Sequence, residues 1–376
     1  MKRRISPAPL KQWSEILTII SGKNQKNVKS DTGQYPIYGS GGIIGYATEY
    51  LCEAGTTIVG RKGTIDKPIF VNERFWNVDT AFGISPSDVL DAKYLYYFCR
   101  QFNFKKLDKS TTIPSLAKRD LLQIKMPVPS IMEQRRIVSR IEELFSKLDK
   151  GVETLQTIKQ QLAVYRQAVL TEAFEGIENT VELGSIASIV DPHPSHRTPV
   201  EVIGGVPYIG VGDIDYVHHV IDFSSARKVS NDILQDHLSR YTLHDGDFIM
   251  GKIGTIGKPF IIALPQNYTL SANVILIQPN KKVVIPKYLF WQVSSSQITK
   301  QLLEGSTSTT QPAFGIKKAR LLSIKICSLE EQNRIVQKIE SHLSLCDDIG
   351  QSVTAALSQA EATRQSILKK VFEGGL

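Results

Sequence analysis

Two stretches dominate the hydrophobic pattern of the chain. In the first, apolar or small side chains recur at steps of three and four through Ile137, Ile141, Leu144, Leu148, Val152, Leu155, Ile158, Leu162, Tyr165, Val169 and Ala173, with no proline between them. That spacing keeps one stripe on one face of an α-helix for about ten turns. In the second, Ile335, Ile339, Val353, Ala360, Ile367 and Val371 hold the same stripe, with smaller residues and Cys346 between. A helix of about 45 residues is roughly 65 Å long, too long to lie against one small domain. Each stripe therefore calls for another long helix, and the two predict an antiparallel pair with one globular domain near each end.

The rest of the chain reads differently. Short runs such as GTTIVGR, KPIFV, DFIMGKIG and NVILIQP are rich in β-branched residues and are broken by Gly, Pro, Asn and Asp, which predicts strands and turns. KYLYYF from Lys93 and KYLFWQ from Lys287 predict short helices whose aromatic residues Tyr94, Phe98, Tyr288 and Trp291 face a core.

These elements occur twice, in the same order. SEILTIIS at Ser14 matches GSIASIV at Gly184, GRKGTIDKP at Gly60 matches GKIGTIGKP at Gly251, and STTIPS at Ser110 matches STTQPA at Ser308. EQRRIVSRIEELFSKLD at Glu133 matches EQNRIVQKIESHLSLCD at Glu331. The offset grows from 170 to 191, 194 and 198 residues, so the second copy holds extra residues in its first half. The chain is a tandem duplication of a globular domain followed by a helix.

Charge sharpens this division. Residues 1–130 carry 19 basic and 11 acidic side chains, residues 131–178 carry 7 and 8, residues 179–328 carry 14 and 11, and residues 329–376 carry 5 and 7. Basic globular parts on slightly acidic helices point to a polyanion for the former and protein contacts for the latter. The four cysteines, Cys52, Cys99, Cys327 and Cys346, form no C-x-x-C pair, which fits a reducing, cytoplasmic compartment. No run approaches the roughly 18 apolar residues of a membrane span, and the basic N-terminus is a poor secretion signal because Lys11, Ser14 and Glu15 interrupt it.

A search for catalytic motifs finds none. GKIGTIGKP lacks the spacing of a phosphate-binding loop and has Pro259 where Ser or Thr should follow the lysine. The pair His193 and His196 has no cysteine or carboxylate cluster nearby in sequence, so a surface loop is expected there in place of a metal site. A basic protein of this kind is expected to be a binding component and not an enzyme.

Taken together, the tandem repeat, the paired helix starts KMPVPSIMEQRRIV and KICSLEEQNRIV, and the closing Phe174-Glu175-Gly176 and Phe372-Glu373-Gly374 resemble the specificity subunits of type I restriction-modification systems over essentially the whole chain. The second copy departs by losing the prolines, with Cys327-Ser328 set against Val128-Pro129. The resemblance implies an α+β fold with two β-rich target recognition domains related by pseudo-twofold symmetry and separated by an antiparallel pair of long coiled-coil helices. It places recognition domains at 1–130 and 179–328, and conserved helices at 131–178 and 329–376. It further implies a non-catalytic subunit that reads a bipartite, asymmetric site on double-stranded DNA, one half per domain. Two methyltransferase (modification) subunits and the restriction/translocase subunits are the implied partners, carrying S-adenosylmethionine, ATP and Mg, with no cofactor or metal on this chain. Glu133, Gln134 and Arg136, with Glu331, Gln332 and Arg334, are then candidate partner-binding residues, set against plain helix capping. A specificity-like subunit of another DNA-modifying defence system, an orphan methyltransferase tether, and a homodimeric coiled-coil scaffold are the other readings; the internal duplication argues against the last.

Exposed basic and polar loops supply the candidate DNA contacts. In the first domain these are Lys23, Lys26, Lys29, Tyr38, Ser40, Arg61, Lys62, Lys109, Thr111 and Thr112. In the second they are His196, Arg197, Asp213, Lys252, Lys258, Ser306, Thr307, Thr309 and Gln311. Lysines would hold phosphates, while Arg, Gln, Asp and Ser/Thr can pair with base edges.

Overall fold

A computed structural model describes residues 8–195, 197–216, 218–253, 255–304 and 314–373. The fold is α+β, and the chain divides into two compact units: residues 1–156 with 354–376, and residues 157–353. The division falls inside both long helices, Ile131–Ala173 and Leu329–Phe372.

In the first unit a four-stranded antiparallel sheet runs in the order Leu17–Ser21, Ala81–Pro86, Thr56–Gly60, Ile69–Val71. All five residues of Thr56–Gly60 are buried, as its β-branched run implies for a strand covered on both faces. A three-stranded sheet places Tyr35–Gly39 between an antiparallel partner, Gly42–Ala47, and a parallel one, Trp76–Asn77. KYLYYF lies in the helix Ala92–Gln101, which starts where the Asp91 carboxylate accepts from the amides of Lys93 and Tyr94, both at 3.0 Å. Its buried face joins Trp13, Phe104 and Leu121 in the main core.

The second unit repeats this plan. Its four-stranded sheet is Ala187–Val190, Val274–Pro279, Phe248–Gly251, Pro259–Ile261, and its mixed sheet places Val206–Ile209 between Lys228–Val229 and Thr269–Leu270. KYLFWQ lies in the helix Pro286–Val293, with proline at its first position. The extra residues of this copy form a short hairpin, Ile214–Asp215 with Val220–Ile221, and the helix Asn231–Arg240.

Each unit contains the start of one long helix, or the end of it, packed against the opposite part of the other. In the first unit Val138, Ile141 and Phe145 share a core with Leu368 and Val371, and Arg364 reaches both Asp149 and the face of Phe145. In the second, Glu172 pairs with Lys338 at 2.9 Å, Tyr165 meets His342 at 2.9 Å, and Arg166 pairs with Asp347. Rising numbers on one helix meet falling numbers on the other, so the pairing is antiparallel within each unit. The closing phenylalanines complete the two cores. Phe372 packs on Tyr94 with ring centroids 5.1 Å apart, and Phe174 packs on Tyr288 at 5.5 Å. Tyr94, Phe98 and Tyr288 are buried, and Trp291 is partly buried against the second core, as their spacing predicts.

Candidate nucleic-acid interface

In the first unit several of the expected residues gather around one turn, 77–80, where the two sheets meet. Lys23 donates its amide to Asn77 O at 3.0 Å, and Val78 donates to Tyr38 O at 3.0 Å. Arg61 and Lys62 both donate their amides to Thr80 O, at 2.8 and 3.2 Å, and the Arg61 guanidinium reaches Asp79 O at 3.3 Å. Gly60 makes the turn possible, because a Cβ there would stand 2.0 Å from Thr64 O. Ser40 lies beside Gly63, whose ideal Cβ position is 3.5 Å from its Oγ.

The loop after residue 108 joins the same site. Asp108 accepts from the Ser110 hydroxyl at 2.6 Å and from the amides of Ser110 and Ser115 at 3.0 and 3.1 Å, and these bonds, the hydroxyl first, hold its carboxyl below the usual range. Gly63 then bonds to Pro114 O at 2.9 Å, and Leu116 to Arg61 O at 2.8 Å. The outcome is a shallow cleft lined by Ser21, Arg61, Lys62, Phe82 and residues 115–119. Thr111 and Thr112 are exposed on this loop, and Lys109 is exposed while paired with Asp120 at 2.8 Å. Lys26 and Lys29 lie further along the Lys23 loop; Lys29 bridges to Ala47 at the far end of the Tyr35–Ala47 hairpin. Two basic residues of the cleft were missed from sequence. Lys118 donates to Ile19 O at 2.7 Å and Arg119 is 84% exposed. Only their place on a short helix beside Arg61 makes them part of the site.

The second unit keeps the main-chain frame and changes its side chains. Lys252 donates its amide to Asn273 O, Phe314 donates to Lys252 O at 2.8 Å, and a Cβ on Gly251 would meet Thr255 O at 1.8 Å. Lys252, however, is 5% exposed and is paired with Asp191 at 2.8 Å. The expectation that it reaches DNA is corrected, since a buried ammonium is held by its carboxylate. Asp213 is half-buried and accepts from Gly210 N at 2.7 Å, closing a tight turn, which corrects its reading as an exposed base contact. Lys258 and Arg197 are exposed. His196, Ser306, Thr307, Thr309 and Gln311 lie outside the described residues.

Arg197 sits on a loop anchored by two buried histidines. Its carbonyl can only accept, so His193 Nε2 donates to it at 2.9 Å. His193 Nδ1 then accepts from His237 Nε2 at 2.9 Å, and His237 Nδ1 accepts from the Thr269 hydroxyl. Burial, and then the neighbouring His193, push His237 down to about 4, so the His237 ring stays neutral near pH 7.

At the two helix starts, Gln134 and Gln332 are fully buried. Gln134 accepts from Asp91 N at 2.7 Å and donates to Val89 O and Pro129 O; Gln332 accepts from Ile285 N at 2.8 Å and donates to Val283 O and Cys327 O. Their assignment as partner-contact residues is corrected: each ties a helix start to its own domain. The same bonds set Cys327 against Pro129 and Ser328 against Ser130, a one-residue correction to the sequence alignment. Glu133 with Arg136, and Glu331 with Arg334, remain as surface ion pairs at 3.6 and 2.9 Å.

The model of the type I restriction modification DNA specificity domain matches residues 10–163 and again residues 178–359. The chain belongs to this family. Among curated members, the EcoBI specificity subunit of Escherichia coli is 26% identical, the alignment covering 71% of this chain and 61% of that protein's length. The EcoDI specificity subunit of Escherichia coli is 23% identical over 97% of this chain and 88% of that one. A chain solved in a study of complex assembly and conformational transition of the type I R-M system has the same fold, with a TM-score of 0.74 at 15% identity over the full length of both. Among the described residues no helix is long and apolar enough to cross a membrane, and the four cysteines are free thiols.

Proposed function

We propose that this chain is the sequence-reading subunit of a type I restriction-modification complex, each unit reading one half of a bipartite DNA site. The observation that carries this reading is the recurrence, on two duplicated scaffolds, of one tight turn after a core strand, at Gly60 and at Gly251, with basic and polar loops gathered around it. Arg61, Lys62 and Arg119 in the first unit, and Lys258 and Arg197 in the second, have the exposure and charge to hold phosphates or base edges. The surface charges at the helix starts, Arg136 and Arg334 with their glutamates, suit docking of two methyltransferase subunits. On this reading methyl transfer, translocation and cleavage, with S-adenosylmethionine, ATP and Mg, belong to partner chains.

The test exchanges residues 1–128 for those of a relative, with methylation mapped across the genome. One half of the methylated site should change and the other should stay. A change in both halves, or in neither, would overturn the two-reader assignment.

A further inference from the structure

The two units differ most at a single connection. In the first, strands Tyr35–Gly39 and Gly42–Ala47 are joined by residues 40 and 41 alone. The corresponding strands of the second unit, Val206–Ile209 and Lys228–Val229, share the same pairing pattern, antiparallel to each other with a parallel third strand beside the first. There the connection takes residues 210–227 and contains the hairpin Ile214–Asp215/Val220–Ile221. We propose that this hairpin is the base-reading element of the second unit, with His218 as a specificity-determining residue for a base-pair edge in a DNA groove. This inference rests on the DNA-reading role proposed above.

The hairpin is tied to the unit at its root and along one flank. Its root is closed by the Gly210 amide on Asp213 and by the Asp222 amide on Asp213 O at 2.8 Å. The Asp222 carboxylate in turn accepts from Ser224 and Ser225, which hold it down to about 2. Ile214 is buried in the second unit's own core, and Ile221 and Tyr216 pack against that core. The flank lies against the turn that ends at Lys258: the Tyr216 hydroxyl donates to Lys258 O at 3.3 Å, and the Lys258 ammonium stands 5.7 Å over the Tyr216 ring. In the first unit Ser40 stands beside the equivalent turn. The hairpin thus occupies the place of a candidate DNA contact, with a cation beside it.

At the tip, His219 reverses the chain at φ 53°, a left-handed conformation. The His218 side chain is 74% exposed, yet its ring is oriented. The Asp215 carboxylate, which only accepts, takes the His218 amide at 3.0 Å and ring Nδ1 at 2.6 Å. With the proton fixed on Nδ1, Nε2 of the neutral ring is an acceptor, suited to the amino group of adenine or cytosine in the major groove. A second-layer carboxylate that sets the tautomer is what a reading side chain requires, whereas a solvated loop histidine needs no such partner.

The test uses the chain assembled with its methyltransferase subunits. Methylomes and competition binding are compared for the native chain, His218→Ala and Asp215→Asn. His218→Ala should relax one or two adjacent positions of the second half-site, with discrimination falling about tenfold, and leave the first half-site as it was. Asp215→Asn should relax the same positions by a smaller factor, because the ring is kept and only its orientation is lost. Unchanged stringency in His218→Ala would overturn the hairpin as a reader, and would do so even if exchanging residues 1–128 still moved one half-site. If methylation disappears, binding decides. Loss of preference for the site with nonspecific affinity retained supports the inference, and equal loss of both overturns it.

Discussion

Directly after the glycine of each tight turn, the first unit has Arg61 and the second has Lys252. Arg61 is half-exposed in a basic cleft, while Lys252 is 5% exposed and held by Asp191. The main chain around the two is the same, with matching bonds of 2.8 Å from Leu116 to Arg61 O and from Phe314 to Lys252 O. What differs is the end of the first sheet strand, where Ser21 of one copy corresponds to Asp191 of the other. A carboxylate at that point draws the cation inward; a serine leaves it facing solvent. A second pair of residues shows the same freedom. Lys118 reaches Ile19 O at 2.7 Å, and Arg320 reaches the equivalent carbonyl of Ile189 at 3.2 Å, although the two side chains start from different positions of their short helices. Duplication has preserved main-chain bonding, which is indifferent to side-chain identity, and has let the side chains at the clefts diverge. That is the behaviour expected of a scaffold carrying two different readers.

The sharpest way to break this comparison is to remove both cations. Lys252→Ala removes the buried ammonium beside Asp191 and should destabilise the second unit by on the order of 3 kcal/mol. Arg61→Ala should change the stability of the first unit by about 0.5 kcal/mol or less, yet weaken DNA binding by the assembled complex roughly tenfold. Hydrogen exchange followed separately in each unit, with DNA titration, checks both. Equal destabilisation by the two variants would show that the side chains have the same role.

Acid should separate the units next. All seven histidines of the chain lie in the second unit, so the first is an internal control. Folded His237 titrates at about 4 against 6.5 for a free ring, so the unfolded chain takes up that proton first as the pH falls. The contribution is complete above about pH 6.5 and is lost as the pH falls toward 4, at a cost of roughly 2–3 kcal/mol to the second unit. Exchange protection compared at pH 7 and pH 4.5, with His237→Asn as reference, measures it. A loss that persists unchanged in His237→Asn would assign the acid sensitivity to other groups.

The smallest effect sharpens the equivalence of the scaffolds. Tyr94 donates to Pro127 O and Tyr288 to Lys325 O, each at 3.0 Å. Tyr94→Phe and Tyr288→Phe should each cost about 1 kcal/mol in their own unit. Chemical denaturation with a probe in each unit tests this, and costs differing severalfold would mean that the two helix starts are braced differently.

The amino-acid sequence by itself determined the duplication, the two long helices and the β-rich character of the domains. These follow from periodicity and self-similarity, which depend on local chemistry repeated over many residues. The aromatic faces of Tyr94 and Tyr288 were legible for the same reason. It did not reveal which polar side chains are internal. Gln134 and Gln332 look like any helix-start glutamine until tertiary structure brings the carbonyls of Val89 and Val283 to them, some 45 residues or more away along the chain. Lys252 carries the same charge as any surface lysine, and only the fold sets Asp191 beside it. Nor could spacing show that Phe174 and Phe372 each close the core of the domain that does not precede their own helix. Periodicity reports which face of an element is apolar, whereas the partner of a polar or aromatic group is fixed by contacts between segments distant in sequence, and these arise only when the whole chain has folded.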